Sequence, residues 1–393
     1  MTTQTADVIV VGLGAVGAAT LLALARRGVR AIGVDRFHPP HDRGSSHGES
    51  RITRLAVGEG ADYAPLVRRS HEIWRELEAE SGEALLLQTG GLVMGPRDGA
   101  ARHHGKGDFV RRTIGVATQY GIPHEVLDAD EVGRRYPQLG LHGDEIAYYE
   151  PSAGLVFPER CIATQLRLAE RLGATLRLGE PVRSIQGEPG NVVVETGRAR
   201  LTADRAILAV GPWLPGLAGG RMAALATAQR QTLHWFRAAD PDAYRPGRFP
   251  VFIWMHGDGE EDYMYGFPSL PGTDTVKVAS ERYADGVQPD TYDRVVSAEE
   301  SKAIHARHVA GRLHGVGPEC VRAAACLYTV TPDAGFIVDT LPGASGVLVS
   351  SACSGHGFKH SAALGEQLAA HVSGTANGLL GFGIARYADA VAG

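Results

Sequence analysis

The sequence predicts an α/β protein: a Rossmann-like dinucleotide-binding domain joined to a second domain built on an antiparallel sheet, both discontinuous in the chain. Three stretches carry this expectation. They are a strand, glycine turn, helix and strand spanning residues 8–35; an aromatic and β-branched region over residues 223–279; and a second glycine turn at residues 354–358 that opens a helix.

The first stretch reads Val8-Ile-Val-Val-Gly12-Leu-Gly14-Ala-Val-Gly17, then an apolar helical run to Ala25 and a strand ending at Asp35. Gly12 permits the tight turn, Gly14 lets a pyrophosphate approach the backbone, and Gly17 lets helix and strand pack closely. Asp35 lies where a carboxylate can accept hydrogen bonds from ribose hydroxyls. With 51 glycines among 393 residues the spacing alone arises by chance, so its specificity comes from the strand-turn-helix-strand context. It does not choose between FAD and NAD. Arg36, just past the strand, reads as a solvated surface charge.

The formal net charge is −5 with acidic and basic residues interspersed, which gives no sign of a nucleic-acid or membrane-surface partner. Cys161, Cys320, Cys326 and Cys353 form no C-x-x-C pair, so neither a zinc site nor a disulfide framework is expected, and a reducing compartment fits. Residues 8–25 are uncharged, but Asp7 precedes them and glycines interrupt them, unlike a signal peptide or membrane span. The expectation is a soluble, cytoplasmic protein.

Residues 37–54 are rich in Pro, Gly and Ser and read as a loop at the carboxyl end of a parallel strand. Ligands meet such folds there, so His47, Arg51 and Arg54 either line a pocket or are solvated. An amphipathic helix over 63–80 stops at Gly82, and 85–94 reads as a strand pair around Gly90-Gly91. Residues 96–108, with His103 and His104, read as an exposed loop where no metal is expected for want of carboxylate or thiol ligands. Helices follow over 109–120 and 161–172, then strands over 175–178, 182–185, 191–196 and 203–211. The 223–279 region alternates Leu233, Trp235, Val251, Phe252, Trp254, Tyr263, Tyr265 and Phe267, as an antiparallel sheet does. A surface helix is expected over 298–313 and a strand over 347–351. The turn Ser354-Gly355-His-Gly357-Phe358-Lys359 then leads a helix over 361–372, a helix N-terminus that suits a flavin's pyrimidine ring. The expected division assigns 1–84, 151–220 and 320–393 to the dinucleotide domain, and 85–150 and 221–319 to the substrate domain.

Taken together, the glycine turn with Asp35, the Gly44-Ser-Ser-His-Gly-Glu-Ser-Arg-Ile-Thr-Arg54 loop, Tyr265-Gly-Phe-Pro-Ser, Cys326-Leu-Tyr-Thr-Val-Thr-Pro-Asp333 and Ser354-Gly-His-Gly-Phe-Lys359 carry a family resemblance. They resemble the monomeric sarcosine oxidase and N-methyltryptophan oxidase family, FAD-dependent amine oxidases of the D-amino-acid-oxidase-like superfamily. The resemblance covers nearly the whole chain. It implies an FAD-binding domain and FAD joined covalently through Cys326, which on its own reads as an inert buried thiol. It further implies that Ser45, Gly355, Gly357 and Phe358 join Gly12, Gly14, Gly17 and Asp35 in holding the cofactor. Arg54 and Lys359 match positions that hold the substrate carboxylate, a planar fork opposed by a second cation. Lys277 matches the residue that promotes reaction with O2 by stabilising developing negative charge, although alone it reads as an outward-facing strand residue. Arg51 and His47 match catalytic positions near the ring, and Tyr265 and Tyr328 match aromatic positions bordering the substrate.

The implied activity is oxidation of a secondary amine, an N-methyl or cyclic amino acid, to an imine with O2 yielding H2O2, by a monomer. A flavin dehydrogenase with another acceptor, or a non-catalytic dinucleotide-binding protein, are the alternatives. Two features depart from the family. Glu281 stands where sarcosine-oxidising members carry a His, and His360 follows Lys359 where an apolar aromatic is expected. A carboxylate in the pocket disfavours a small anionic substrate, which points away from sarcosine toward a larger substrate with a cationic or hydrogen-bond-donating group.

Overall fold

In the computed structural model, which describes residues 2–283, 286–376 and 381–387, the strand Thr2–Val11 enters the glycine turn and the helix Ala15–Arg26. Gly12 sits at φ +87°, and a Cβ there would lie 2.5 Å from the Ala209 carbonyl oxygen. At Gly17 a Cβ would lie 1.7 Å from the Gly12 carbonyl oxygen, so helix and strand approach this closely only without a side chain. Asp35 follows the strand Ala31–Val34, and its carboxylate accepts from the backbone N–H of Leu13 at 2.8 Å and of Phe37 at 2.7 Å. It therefore ties the turn to the second strand. Gly17→Ala is expected to force the two elements apart and cost about 3 kcal/mol, read as a lower melting temperature and lost flavin content in the purified protein.

Around this unit a sheet forms in the order Thr175–Arg177, Ala31–Val34, Thr2–Val11, Ala199–Leu208, Asn191–Thr196 and Val182–Glu188. The strand Ala344–Ser351 adds in parallel beside Ala199–Leu208 and pairs on its other side with Ile337–Leu341. The first four strands of that order are parallel, as a doubly wound fold requires. The helix Ser361–Val372 crosses Ala15–Arg26 at Gly365, where a Cβ would meet the Ala19 Cβ at 2.5 Å. Leu21, Leu22, Trp74, Leu77 and Leu364 fill the core on this face.

A second sheet runs Val316–Val330, Thr227–Ala238, Thr275–Ala279, Tyr263–Phe267, Val251–Met255, Gly91–Pro96, Glu145–Glu150 and Glu125–Asp128. Its pairings are antiparallel except Val251–Met255 with Gly91–Pro96. Phe236, Phe252, Trp254, Met264 and Val276 pack one face. The α/β expectation with a second, antiparallel sheet thus holds. No helix among the described residues is long and apolar enough to cross a membrane.

Several expectations fail for identifiable reasons. The residues on either side of Gly90-Gly91 form no pair: Leu86–Gln88 joins Arg51–Thr53 and Gly154–Val156 in a small sheet, while Gly91–Pro96 enters the second sheet. Gly90 at φ +73° turns the chain from one to the other. The boundary expected at residue 320 falls inside the strand Val316–Val330, which pairs along its length with Thr227–Ala238. The helix expected over 298–313 is α-helical only over Ala298–Ile304 and continues as a π-helical turn, His305–Val309. The loop expected to be exposed over 96–108 carries a hairpin, Arg102–His103 with Lys106–Gly107, whose His103 and His104 are buried.

Candidate active site

One long cleft joins the glycine turn to the face of the second sheet. At one end it is lined by Gly12, Gly14, Asp35 and Ser45, and at the other by Arg51, Arg54, Tyr265, Glu281, Tyr328 and Lys359, with the Gly355, Gly357 and Phe358 turn between. Gly357 is confined: a Cβ would lie 1.8 Å from the Ala352 carbonyl oxygen. Gly14 has open space, its nearest neighbour being Ser46 Oγ at 3.8 Å. The hydroxyls of Ser45, Ser350 and Ser351 are buried on the cleft without a protein partner. A glycine cradle, a helix N-terminus and orphaned hydroxyls along one groove suit a dinucleotide.

At the deep end Arg54 and Lys359 are both buried and share one carboxylate. Arg54 Nη2 lies 3.0 Å and Lys359 Nζ 3.6 Å from Glu59, and Lys359 also donates to the His356 carbonyl at 2.9 Å. Arg54 Nε keeps no partner. Burial opposes charge on Glu59, yet the two cations hold its carboxyl well below the usual range. Burial lowers Lys359 to about 8 against the pull of Glu59.

Glu281 is equally enclosed. Tyr283 donates to it at 2.8 Å and Tyr328 at 3.4 Å, Tyr265 and Tyr328 hydroxyls meet at 3.3 Å, and His104 Nε2 lies 3.0 Å from its carboxylate. Burial penalises its charge, but His104 and His103 bring it down to about 2. For His104 burial likewise works against protonation, and Glu281 and Glu59 overcome it, raising the imidazole to about 9.

Arg51 lines the cleft and donates to the carbonyls of Ser50 at 2.8 Å and Ser45 at 2.7 Å, bracing the loop that carries it. His47 is buried beside it but off the cleft wall, held neutral with a pKa of about 3 by burial and by Arg51. Lys277 also lies behind the wall. Its ammonium donates to Gly48 O at 2.6 Å, Ser50 O at 2.9 Å and Ser50 Oγ at 3.1 Å, over the Phe267 ring at 4.3 Å. Burial and Arg51 push its pKa well below the ordinary lysine value. Cys326 is 1% exposed on the strand that carries Tyr328, two residues on and therefore on the same face. Burial raises its thiol pKa, while Arg51 and Lys277 oppose the rise. Gly17 acts by packing, away from the cleft.

The expected residues therefore fall into a cofactor groove, a chamber at its end, and a buried set of His47, Lys277 and Cys326 behind it. Residues without an expected site role complete the chamber: Glu59, His103, His104 and Tyr263 line it, and Tyr283 holds Glu281. Glu59 and Glu281 stand beside the two histidines, which corrects the expectation that no carboxylate lies near them; Glu59, His103 and His104 bring possible ligand atoms within 4.8 Å of one another.

Fold and cleft together define a dinucleotide-binding protein of the doubly wound class. Residues 7–371 match the model of the FAD dependent oxidoreductase family, DAO, and the chain belongs to it, with FAD as its cofactor. It is 38% identical over 368 residues to a monomeric sarcosine oxidase of Streptomyces avermitilis, covering 93% of each chain. It is 34% identical over 364 residues to an N-methyl-L-tryptophan oxidase of Salmonella arizonae, covering 92% of each. Within the family the chain is a member of this amine-oxidase group. Among solved structures, NikD, described as an unusual amino acid oxidase, shares the fold with a TM-score of 0.81 at 24% identity over 98% of this chain and 97% of that one.

Proposed function

We propose that this chain oxidises the secondary amine of an N-methyl or cyclic amino acid, with O2 as the electron acceptor, on an FAD linked to Cys326. The amine loses two electrons and two protons to become an imine, O2 gains them as H2O2, and water hydrolyses the imine. The observation that carries the reading is the buried pair Arg54 and Lys359 at the closed end of the cofactor groove, with Arg54 Nε free for an incoming carboxylate. When bound, FAD supplies the two-electron acceptor.

The protein's part is placement. Arg54 and Lys359 grip the carboxylate from two sides, and Tyr265 and Tyr328 border the rest of the substrate. Enclosure keeps water out, so these charges act through a low dielectric. Arg51 and Lys277 bias the Cys326 thiol toward the thiolate that a covalent link needs. Lys277 favours negative charge developing on oxygen. The free cysteines support a reducing, cytoplasmic setting, and the resemblance supports a monomer.

A peroxide-coupled screen over N-methyl, cyclic and primary amino acids tests the reaction; peroxide from none of them would refute it. For the link, acid-precipitated wild type is expected to stay yellow and Cys326→Ala to release its colour into the supernatant. A colourless wild-type pellet would remove the covalent bond while leaving FAD binding intact.

A further inference from the structure

The hairpin Arg102–His103 with Lys106–Gly107 turns through His104 at φ +49° and Gly105 at φ +70°. Both central residues are left-handed, as in a two-residue type I′ turn. Such tips usually meet solvent, but this one is docked into the chamber. His103 stacks on Tyr263, with ring centroids 4.1 Å apart at 17°, and meets Phe109 edge-on at 4.6 Å. That packing aims His104 between two carboxylates, Nε2 3.0 Å from Glu281 and Nδ1 3.5 Å from Glu59.

The charges of the chamber then decide what enters. Arg54 and Lys359 are positive; Glu59 and Glu281 are negative. With a neutral imidazole these four cancel and Arg51, which also lines the cleft, is left as the one positive charge; an imidazolium between Glu59 and Glu281 adds a second and strengthens the attraction for a substrate carboxylate.

We propose that His104 is a specificity-determining residue: as the counter-ion of Glu281 it lets the chamber accept a substrate with one carboxylate and an uncharged side chain, and disfavours cationic amines. This rests on the amine-oxidase reading and names its substrate class. The sequence predicts a cationic or hydrogen-bond-donating group opposite Glu281; the assignment removes the need for a cationic one in the substrate, because His104 already supplies that charge. The raised pKa of His104 agrees with the geometry.

The test titrates flavin absorbance of the holoenzyme at pH 7 with benzoate, a carboxylate without an amine, and with benzylamine, an amine without a carboxylate. His104→Gln is expected to weaken benzoate about 10- to 100-fold and strengthen benzylamine. Glu281→Gln, which leaves the hairpin untouched, is expected to do the opposite. The double variant is expected to return benzoate affinity close to wild type, which loss of structure alone would not do. Wild type that fails to bind benzoate, His104→Gln within twofold of wild type, Glu281→Gln that does not tighten benzoate, or a double variant no better than His104→Gln would each overturn the assignment. Because the readout is binding, wild type that binds benzoate but consumes no oxygen with any amine counts against the proposed reaction alone.

Discussion

Lys277→Met is expected to slow reoxidation of the reduced flavin by O2 about 10²- to 10³-fold, the range for removing one preorganised electrostatic donor, while anaerobic reduction by substrate changes only a few-fold. The reason lies in how the ammonium is held. It is 3% exposed, fixed by three oxygens of the Gly48–Ser50 turn, and lies over Phe267 and 5.4 Å from the centre of Trp235. Such a group needs no reorganisation when negative charge develops on oxygen. Burial and Arg51 hold its pKa below the ordinary lysine value, so an anion developing nearby stabilises the proton it carries. Methionine fills a similar volume but strands the Gly48 and Ser50 carbonyls, at about 1–3 kcal/mol of stability. Stopped-flow reoxidation and thermal melting separate the two effects. Unchanged oxygen reactivity would favour an enzyme that hands its electrons to another acceptor.

Arg54→Gln carries the second large effect, and it is expected to strike stability and affinity together. The guanidinium faces Glu59 at 3.0 Å with both side chains at most 5% exposed; removing one partner of such a pair costs about 3–5 kcal/mol, and the lower end is expected here because Lys359 at 3.6 Å and His104 at 3.5 Å stay beside Glu59. The same change removes the fork proposed for the substrate carboxylate, so KM is expected to rise about 100-fold, with kcat less affected. Pairing it with Glu59→Gln distinguishes the roles: the double variant is expected to regain melting temperature but not KM. A single variant that keeps its KM for an acid-bearing amine would move the carboxylate site elsewhere.

Legibility in the sequence followed the range of the interactions involved. The glycine turn, its helix and Asp35 were readable because the contacts that define them stay within one strand-turn-helix-strand unit. Gly17 meets Gly12, and Asp35 meets Leu13 and Phe37. The burial of Lys277 contradicted the ordinary reading of a lone lysine in a strand, while that of Cys326 agreed with the ordinary reading of a lone cysteine; a role for either was reachable only through the surrounding motifs. His103 and His104 were misread because a His-Gly turn between short polar segments looks solvated. Its burial depends on Tyr263 and Phe109, one of them far away in sequence. Glu59 sat in plain view, five residues past Arg54, but nothing local signalled that it would be shared with Lys359. The strand pair assumed around Gly90-Gly91 failed for a related reason, since alternation identifies strands without identifying their partners.

Along the strand Thr227–Ala238, Trp235 stands opposite Lys277 on one side and Gln231 opposite Cys326 on the other. At roughly 3.4 Å per residue and 4.8 Å between strands, the backbones of the proposed cofactor tether and of the proposed oxygen-facing cation are held about 14 Å apart along the ladder and about 10 Å across it. Main-chain hydrogen bonds therefore act as a ruler between anchoring and reoxidation. Heat that frays this one strand is expected to abolish both in a single cooperative step, with no intermediate that keeps a gripped flavin yet ignores oxygen.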